Sequence, residues 1–450
     1  MKIKKIIKYV FFVFLLVVVY FAFTTYPKLD LVSGFSSKSV ASHLFIADRS
    51  QEYTEAEDNN LPSIGLATNE VHANEKYVIS NAFGIKERKA LYRKGLGTVL
   101  LPEDASEEDL FKEIPFRNKT KSNLPYPYGD LPQKDTIFEN VDYTLLKKNV
   151  HDAFVDTEVK SQKTRSVLVV YKDQIIAEEY GEDFNKESVL LGWSMTKSIT
   201  SAVLGILEKQ GKVTLDQTSL FPEWEQDERA NISLKNLLNM NSGLAWEEDY
   251  SKISDVTEML FLTPDMSEIQ KAKELGGTPN NSWNYSSGTS NLLSGFIRDQ
   301  FSNQQEYLDF WYNKLIDKIG MHSMLLETDF AGNYVGSSYG WATTRDWAKF
   351  GLLYLHDGNW NGEQLINTSW VEFTKKPTQG SEGVYGGHFW LNAGGKYPDV
   401  PKDLYSCNGF QGQFVFIIPS KDLVVVRTGL RNDPDFDIND FLSGIISSIQ

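Results

Sequence analysis

Ser194 and Lys197 stand three residues apart, just before an apolar run that predicts a helix. On a helix this spacing puts both side chains on one face, one turn from each other. A serine at a helix N-terminus lies beside backbone N–H groups that have no intrahelical partner, and these favour a developing oxyanion. A desolvated lysine can lose its proton and act as the base that the serine needs. The spacing alone is common, and it also fits a serine cap beside a solvated lysine.

A second candidate segment, Tyr285-Ser286-Ser287-Gly288, precedes another apolar helix pattern. A tyrosine at the entry to a helix can present its hydroxyl to a cleft. A neighbouring lysine ammonium is expected to lower the pKa of its phenol, so that the tyrosine can relay a proton. The alternative is a core tyrosine whose hydroxyl is satisfied by a local partner.

A third candidate segment runs from Ser406 to Gln413 and contains Gly409 and Gly412 just before a strand pattern. Glycines permit a close approach of the backbone to a ligand, and a backbone N–H at the edge of a strand can donate to a substrate oxygen. The alternative is an ordinary turn that leads from a loop into a strand.

The elements that must position these segments lie within residues 136–450. Hairpin patterns occupy residues 166–180 and 413–428, near the two ends of this region, and helix patterns lie between them. A terminal helix is expected at about 437–449. This order predicts an α+β fold with an antiparallel β-sheet flanked by helices, plus an all-helical lobe. The helix that begins at Ser194 is expected where the two lobes meet, which is where clefts usually form.

The N-terminus carries four lysines within residues 1–8, and residues 9–26 are uncharged and rich in Val, Phe and Leu. A run of that length is at the lower limit for a membrane-spanning helix. The sequence therefore predicts a signal anchor at residues 1–26 that contacts the membrane through residues 9–26, with the remainder on the extracytoplasmic (periplasmic or extracellular) side. Secretion after signal cleavage is the alternative, although no small-x-small cleavage site follows the run.

Residues 27–135 are expected to form a tether and a small accessory region. Residues 27–60 are mixed and polar, residues 61–115 contain short strand patterns, and residues 116–135 are rich in proline. The predicted organisation is therefore an anchor at 1–26, this region at 27–135 and the main domain at 136–450.

The composition excludes several classes of partner. A formal net charge of −15 argues against binding to nucleic acid. The single cysteine, Cys407, excludes an internal disulfide. The six histidines show neither an HExxH motif nor clustered spacing, so the sequence predicts no metal site. The oligomeric state is left open.

In order and spacing, the three segments resemble the motifs of the serine β-lactamase and penicillin-binding protein superfamily. The branch they resemble contains class C β-lactamases, esterases and 6-aminohexanoate-dimer hydrolases. That superfamily uses S-x-x-K, then a Y-x-N or S-x-N motif, then K-T-G or a variant before a strand. Ser194 and Lys197 match the first motif, Tyr285 to Ser287 match the second with serine in place of asparagine, and Cys407 to Gly409 stand at the third. The resemblance covers about residues 136–450.

The resemblance implies a serine hydrolase that cleaves an amide or ester bond of a small molecule through an acyl-enzyme, without a metal or organic cofactor. Ser194 would be the nucleophile, Lys197 the base and Tyr285 the proton relay. The backbone N–H groups of Ser194 and Phe410 would form the oxyanion hole.

Four further residues are predicted to contact the substrate: Ser287, Asn408, Gly409 and Tyr250. Tyr250 is carried over from a loop of the 6-aminohexanoate-dimer hydrolases, and a tyrosine in an acidic surface loop is the alternative. The third segment lacks the cation that usually holds a substrate carboxylate, which weakens the case for β-lactam hydrolysis. Two other functions stay open: a cell-envelope DD-peptidase or β-lactamase, and a catalytically weak penicillin-binding sensor or binding module.

Overall fold

The computed structural model describes residues 2–157 and 160–450, and it describes only the backbone of residues 2–4, 18 and 21–25. The chain divides into two compact units. The N-terminal unit comprises the residues up to Arg93 together with Thr98–Leu110 and Asp249–Pro264. The larger unit comprises Lys94–Gly97, Phe111–Glu248 and Asp265–Gln450.

The α-helices are numbered in chain order. They are α1 Lys2–Thr25, α2 Lys28–Ala47, α3 Gln51–Ala56, α4 Tyr143–Asp152, α5 Thr196–Lys209, α6 Leu234–Leu238, α7 Asp255–Phe261, α8 Glu268–Lys271, α9 Ser287–Arg298, α10 Gln304–Trp311, α11 Thr344–Leu355, α12 Thr368–Lys375 and α13 Ile438–Ser447.

The strands are numbered in the same way. They are β1 Ala67–His72, β2 Tyr77–Ala82, β3 Ile85–Arg93, β4 Gly97–Leu100, β5 Thr164–Tyr171, β6 Gln174–Tyr180, β7 Val189–Leu191, β8 Leu325–Leu326, β9 Gly340–Thr343, β10 Asn359–Trp360, β11 Glu363–Gln364, β12 Trp390–Leu391, β13 Tyr405–Gly409, β14 Gln413–Ile418 and β15 Leu423–Gly429.

The prediction of an N-terminal transmembrane helix is wrong. The segment does form helix α1, but none of the helices in the described residues is both long enough and apolar enough to cross a membrane. This helix contains Lys2, Lys4, Lys5 and Lys8 in its first two turns. The uncharged remainder, Tyr9–Thr25, spans roughly 25 Å at the rise of an α-helix, which is less than the ~30 Å hydrocarbon core of a bilayer. The membrane contact expected at residues 9–26 is therefore not supported, and the extracytoplasmic location stays a prediction.

The N-terminal unit is built around helix α2, which lies in the stretch expected to be a tether. The sheet has the strand order β1-β2-β3-β4. Val40 and Ala41 of α2 pack with Val78 of β2 and Ala90 of β3 in a small buried cluster. The short strand patterns predicted within residues 61–115 correspond to β1, β2, β3 and β4.

A return segment of the chain, Asp249–Pro264, completes this unit. Its helix α7 contributes Phe261, whose ring centroid lies 5.6 Å from that of Phe35 in α2. The guanidinium of Arg88 in β3 donates to the backbone carbonyl of Phe261 at 2.7 Å. The chain therefore leaves the larger unit between Glu248 and Asp249 and rejoins it at Asp265.

The larger unit contains a six-stranded sheet with the order β12-β13-β14-β15-β5-β6, in which all neighbouring strands are antiparallel. In this sheet β5, from the start of the region, pairs with β15, from its end. The predicted α+β architecture is thus confirmed, with a sheet assembled from both ends of the region and helices between them.

Side chains of β5 alternate between two apolar layers, as the two-residue period of a strand requires. Leu168 and Val170 belong to the larger core, together with helices α5, α9 and α11. Val167 and Val169 belong to the other layer, which contains residues of α4 and α13. Helix α5 is buried along nearly its whole length, from Thr196 to Leu207. The turn that carries Ser194 is therefore attached to a helix that is buried along nearly its whole length.

Candidate active site

Ser194 lies in a turn of 3-10 helix, Trp193–Met195, that leads directly into α5. Gly192 precedes this turn, and a Cβ at that position would come within 2.3 Å of the Trp347 ring. Its N–H donates to the carbonyl of Gly340 at 2.8 Å, which ties the turn to β9. The backbone of Trp193 has a φ of 47°, a left-handed conformation that residues other than glycine seldom adopt. The turn is thus held by backbone contacts on one side and by packing on the other, and it leaves Ser194 partly accessible.

The end of β13 packs directly against this turn. A Cβ on Gly409 would lie 2.1 Å from the carbonyl oxygen of Gly192, so only a glycine permits the approach. The ring of Phe410 meets the ring of Trp193 edge-on, with centroids 5.6 Å apart. The third sequence segment therefore lies beside Ser194, and its glycine has a defined steric role.

Lys197 lies behind Ser194 with only 2 % of its surface exposed. Its Nζ forms three hydrogen bonds: to Ser194 Oγ at 2.9 Å, to Ser287 Oγ at 2.9 Å and to the carbonyl oxygen of Ser337 at 3.0 Å. Burial lowers the pKa of this lysine to about 8, although the carboxylate of Glu248 acts in the opposite direction. A lysine with this pKa is partly neutral near neutral pH and can accept a proton.

The hydrogen-bond directions around Lys197 identify the atom that its lone pair faces. The carbonyl of Ser337 can only accept, and the hydroxyl of Ser287 already donates its proton to Glu248 Oε1. Both groups must therefore receive N–H bonds from the lysine. A neutral amine has two N–H bonds, and these two partners use both. Its lone pair is left for the hydroxyl of Ser194.

Glu248 is the residue that sequence reasoning missed. Its carboxylate accepts from the backbone N–H of Ser287 at 2.8 Å, from the Ser287 hydroxyl and from the indole N–H of Trp246. The only signal in the sequence is the adjacent pair Glu247 and Glu248 in an acidic loop. That pattern does not indicate which carboxylate faces the lysine.

Tyr285 lies beside Lys197 and Ser194, but its pKa shift is opposite to the one expected. Lys197 Nζ lies 5.0 Å from the centroid of its ring. Burial, reinforced by the negative charge of Glu248, raises the pKa of the phenol, and the interaction with Ser194 only partly offsets this. The expected lowering by the lysine is therefore wrong, because desolvation disfavours the phenolate more strongly. Tyr285 stays protonated and can relay a proton only by giving one up as it accepts another.

The remaining predicted substrate contacts are Asn408 and Tyr250. Asn408 is half-buried on β13, and its side-chain oxygen accepts from Ser406 Oγ at 2.6 Å. The neighbouring Cys407 points into the core, where burial raises the pKa of its thiol to about 12 and keeps it neutral. Tyr250 belongs to the N-terminal unit and is 51 % exposed. The catalytic and substrate-binding roles of all these residues stay predictions.

Among the described residues, no group of His, Cys, Asp and Glu side chains is arranged to hold a metal ion. The site instead combines a hydroxyl, an amine of lowered pKa, a phenol and a half-buried carboxylate. This set can carry out proton transfer to and from a serine nucleophile.

The pH dependence of activity follows from the pKa of Lys197. The base is active when neutral, so kcat/KM is expected to rise as the pH rises and to level off above about 8. A steady-state pH profile with an activated ester measures this directly. A profile that falls between pH 6 and 8 would contradict the assignment of Lys197 as the base.

Replacement of Glu248 by glutamine is expected to move the acidic limb of that profile to lower pH, because the carboxylate raises the pKa of Lys197. The amide can replace only part of the acceptor set, so kcat at the optimum is expected to fall roughly tenfold. The exposed neighbour Glu247 provides the control, and Glu247→Gln is expected to leave the profile in place. An acidic limb that is unchanged or moves to higher pH in the Glu248 variant would disprove the effect of this carboxylate on the pKa of Lys197.

Comparison with known proteins agrees with this geometry. A family model described as "Beta-lactamase" matches residues 152–442. No curated protein matches the chain.

Several solved structures share the fold. One is a Bacillus anthracis protein provisionally described as a 6-aminohexanoate-dimer hydrolase, with 20 % identity and a TM-score of 0.53 over 64 % of this chain and 78 % of that one. A novel penicillin-binding protein homologue from Caulobacter crescentus has 12 % identity and a TM-score of 0.56 over 70 % and 99 %. A D-stereospecific amidohydrolase from a Streptomyces species has 14 % identity and a TM-score of 0.51 over 67 % and 97 %. At these identities the likeness concerns the fold.

Proposed function

Because the chain belongs to the β-lactamase family, we propose that it is a serine hydrolase that cleaves an amide or ester bond through an acyl-enzyme on Ser194. The observation that carries this proposal is the arrangement of Lys197. Two of its three partners can only receive its N–H bonds, so its lone pair faces the Ser194 hydroxyl.

Acylation begins when the Ser194 hydroxyl gives its proton to neutral Lys197. Its oxygen forms a bond to the substrate carbonyl carbon, and the carbonyl oxygen becomes an oxyanion. The backbone N–H groups of Ser194 and Phe410 stabilise this oxyanion by donating hydrogen bonds to it. The bond to the leaving amine or alcohol then breaks. Tyr285 donates its proton to the leaving group and takes one from Lys197, which returns the lysine to its neutral form.

Deacylation repeats these steps with water as the nucleophile. Lys197 accepts a proton from the water as its oxygen attacks the acyl carbon, and the bond to Ser194 breaks when the tetrahedral intermediate collapses. The serine oxygen recovers its proton from the lysine, and the carboxylic acid leaves. All proton transfers are carried out by side chains of this site.

Two features of the site favour neutral substrates over those with a carboxylate. Cys407, in the third segment, is neutral and faces the core. The charge that Glu248 places beside Ser287 is negative and would repel an acid group. Amides and esters without a carboxylate near the scissile bond are therefore the proposed substrates.

Intact-mass spectrometry after treatment with a fluorophosphonate tests the proposal. We expect one adduct per chain, located at Ser194 by peptide mapping, together with turnover of p-nitrophenyl esters or linear amides. A chain that takes up no label, or that takes it up at another residue, would overturn the proposal. Stoichiometric labelling without turnover of nitrocefin, a D-Ala-D-Ala peptide, the esters or the amides would indicate a binding module instead.

A further inference from the structure

The turn Phe410-Gln411-Gly412 joins β13 to β14 and carries one of the two proposed oxyanion donors. Gln411 and Gly412 adopt φ values of 60° and 82°, and the N–H of Gly412 donates to the carbonyl of Gly409 at 3.2 Å. A peptide group is planar, so the N–H of Phe410 points opposite to the carbonyl of Gly409. The position of Gly412 therefore sets the direction in which the Phe410 N–H points.

Two buried side chains hold this turn from behind. Gln413 Nε2 donates to the carbonyl of Phe410 at 3.2 Å, and Arg427 Nη1 donates to the carbonyl of Gly412 at 2.7 Å. Both side chains are almost completely buried. The turn thus has one fixed carbonyl on each side of Gln411.

Arg427 connects this turn to two other segments of the chain. Its Nη1 also donates to the carbonyl of Arg431 at 3.0 Å. Its Nη2 donates to the carbonyl of Gln162 at 2.8 Å and to Thr164 Oγ1 at 3.0 Å, and its Nε donates to the same hydroxyl at 3.2 Å. All of these acceptors are neutral oxygens.

The backbone leaves a space that the guanidinium fills. A Cβ at Gly412 would come within 2.3 Å of Nη1, and a Cβ at Gly429 within 2.5 Å of the guanidinium carbon. The ring of Phe436 covers the group at 4.1 Å. In the described part of the chain no carboxylate is among its hydrogen-bond partners, and the charged neighbour that acts on it, Arg165, is also a cation. A positive charge buried among neutral acceptors keeps its field in this low-dielectric region.

We propose that Arg427 is a positioning residue of the oxyanion hole. It fixes the Phe410-Gln411-Gly412 turn through the carbonyl of Gly412, and it places a positive charge behind the N–H that receives the developing negative oxygen. Gln413 assists by holding the carbonyl of Phe410. This inference rests on the proposed function, because it concerns the tetrahedral intermediate that Ser194 forms.

Phenylboronic acid provides the test, because it binds a serine oxygen as a tetrahedral anion and so resembles the intermediate. In Arg427→Gln and in Gln413→Met, we expect its inhibition constant to rise roughly 10- to 100-fold and kcat to fall by a similar factor, while KM for a neutral ester changes less than about twofold. Gln413→Met keeps the inference testable should the arginine variant fail to fold. A thermal melt accompanies each variant.

Arg345→Gln is the matched control. Arg345 forms a two-bond ion pair with Glu178, at 2.7 and 2.6 Å, and its loss is expected to reduce stability but leave the inhibition constant unchanged. Boronate affinity that falls in the control as much as in the test variants would assign the effect to stability alone. Test variants with wild-type boronate affinity would overturn this inference but leave the proposed function intact. A wild-type chain that neither binds the boronate nor turns over an ester would overturn both.

Discussion

Replacement of Ser194 by alanine is expected to lower kcat by roughly 10⁴-fold or more, because the lone pair of Lys197 faces the Ser194 hydroxyl. The alanine leaves both oxyanion donors and the base in place. A small residual rate through direct attack of water is therefore expected. Steady-state kinetics with an activated ester measure the loss, and the fluorophosphonate adduct is expected to disappear from the intact mass.

Ser198→Ala is the control for this change, because Ser198 lies one turn further along α5. Its hydroxyl donates to the carbonyl of His388 at 2.8 Å, inside the core. We expect this variant to be less stable but to keep both the adduct and the turnover. Retention of the adduct in Ser194→Ala would show that another residue is the nucleophile.

Replacement of Lys197 by methionine is expected to lower kcat/KM by about 10³-fold and to remove the rise in activity that ends near pH 8. Methionine has a similar length and fits an apolar space, but it cannot accept the serine proton. Ser287 and the carbonyl of Ser337 lose their donor at the same time. The pH profile of kcat/KM, measured from pH 5 to 10, separates the loss of the base from a general loss of folded protein.

Lys349→Met is the matched variant, because Lys349 is also buried but lies on α11. It donates to the carbonyl of Gly320 at 2.5 Å and pairs with Asp346 at 3.0 Å. We expect it to melt at a lower temperature and to keep kcat/KM within about threefold of wild type. A Lys197 variant whose profile keeps its rise towards pH 8 would show that another group supplies the base.

The parts of the site that depend on local spacing could be predicted from the sequence. Ser194 and Lys197 meet because three residues make about one helical turn, and the hairpins around residues 166–180 and 413–428 follow from strand patterns and turn residues. Contacts between distant segments could not be predicted in this way. Glu248 reaches Ser287 from a loop 39 positions earlier in the chain. The direction of the pKa shift of Tyr285 depends on burial and, to a smaller extent, on that same carboxylate. A local sequence pattern reveals neither.

In the N-terminal part of the chain, composition also failed to predict the structure. The apolar run at residues 9–26 was long enough to suggest a spanning helix from composition, yet helix α1 does not meet the requirement. The mixed polarity of residues 27–60 gave no sign that α2 is largely buried and packs against a sheet, because serines occupy several of its buried positions. Small polar side chains fit close packing as well as they fit solvent, so composition alone does not separate the two.

The passage of the chain between the two units determines how the protein can be divided. A fragment that begins at residue 136, the predicted boundary, would still contain α7 but would lack α2 and Arg88. The apolar side chains of α7, including Met259, Leu260 and Phe261, would then lose partners that bury them in the full chain. Such a fragment would expose an apolar surface, formed by these side chains of α7, a few residues after Glu248. Truncation at residue 136 is therefore expected to destabilise the protein. A loss of activity in such a fragment would indicate first that the segment Asp249–Pro264 has lost its packing partners, and would not by itself show that the N-terminal unit regulates activity.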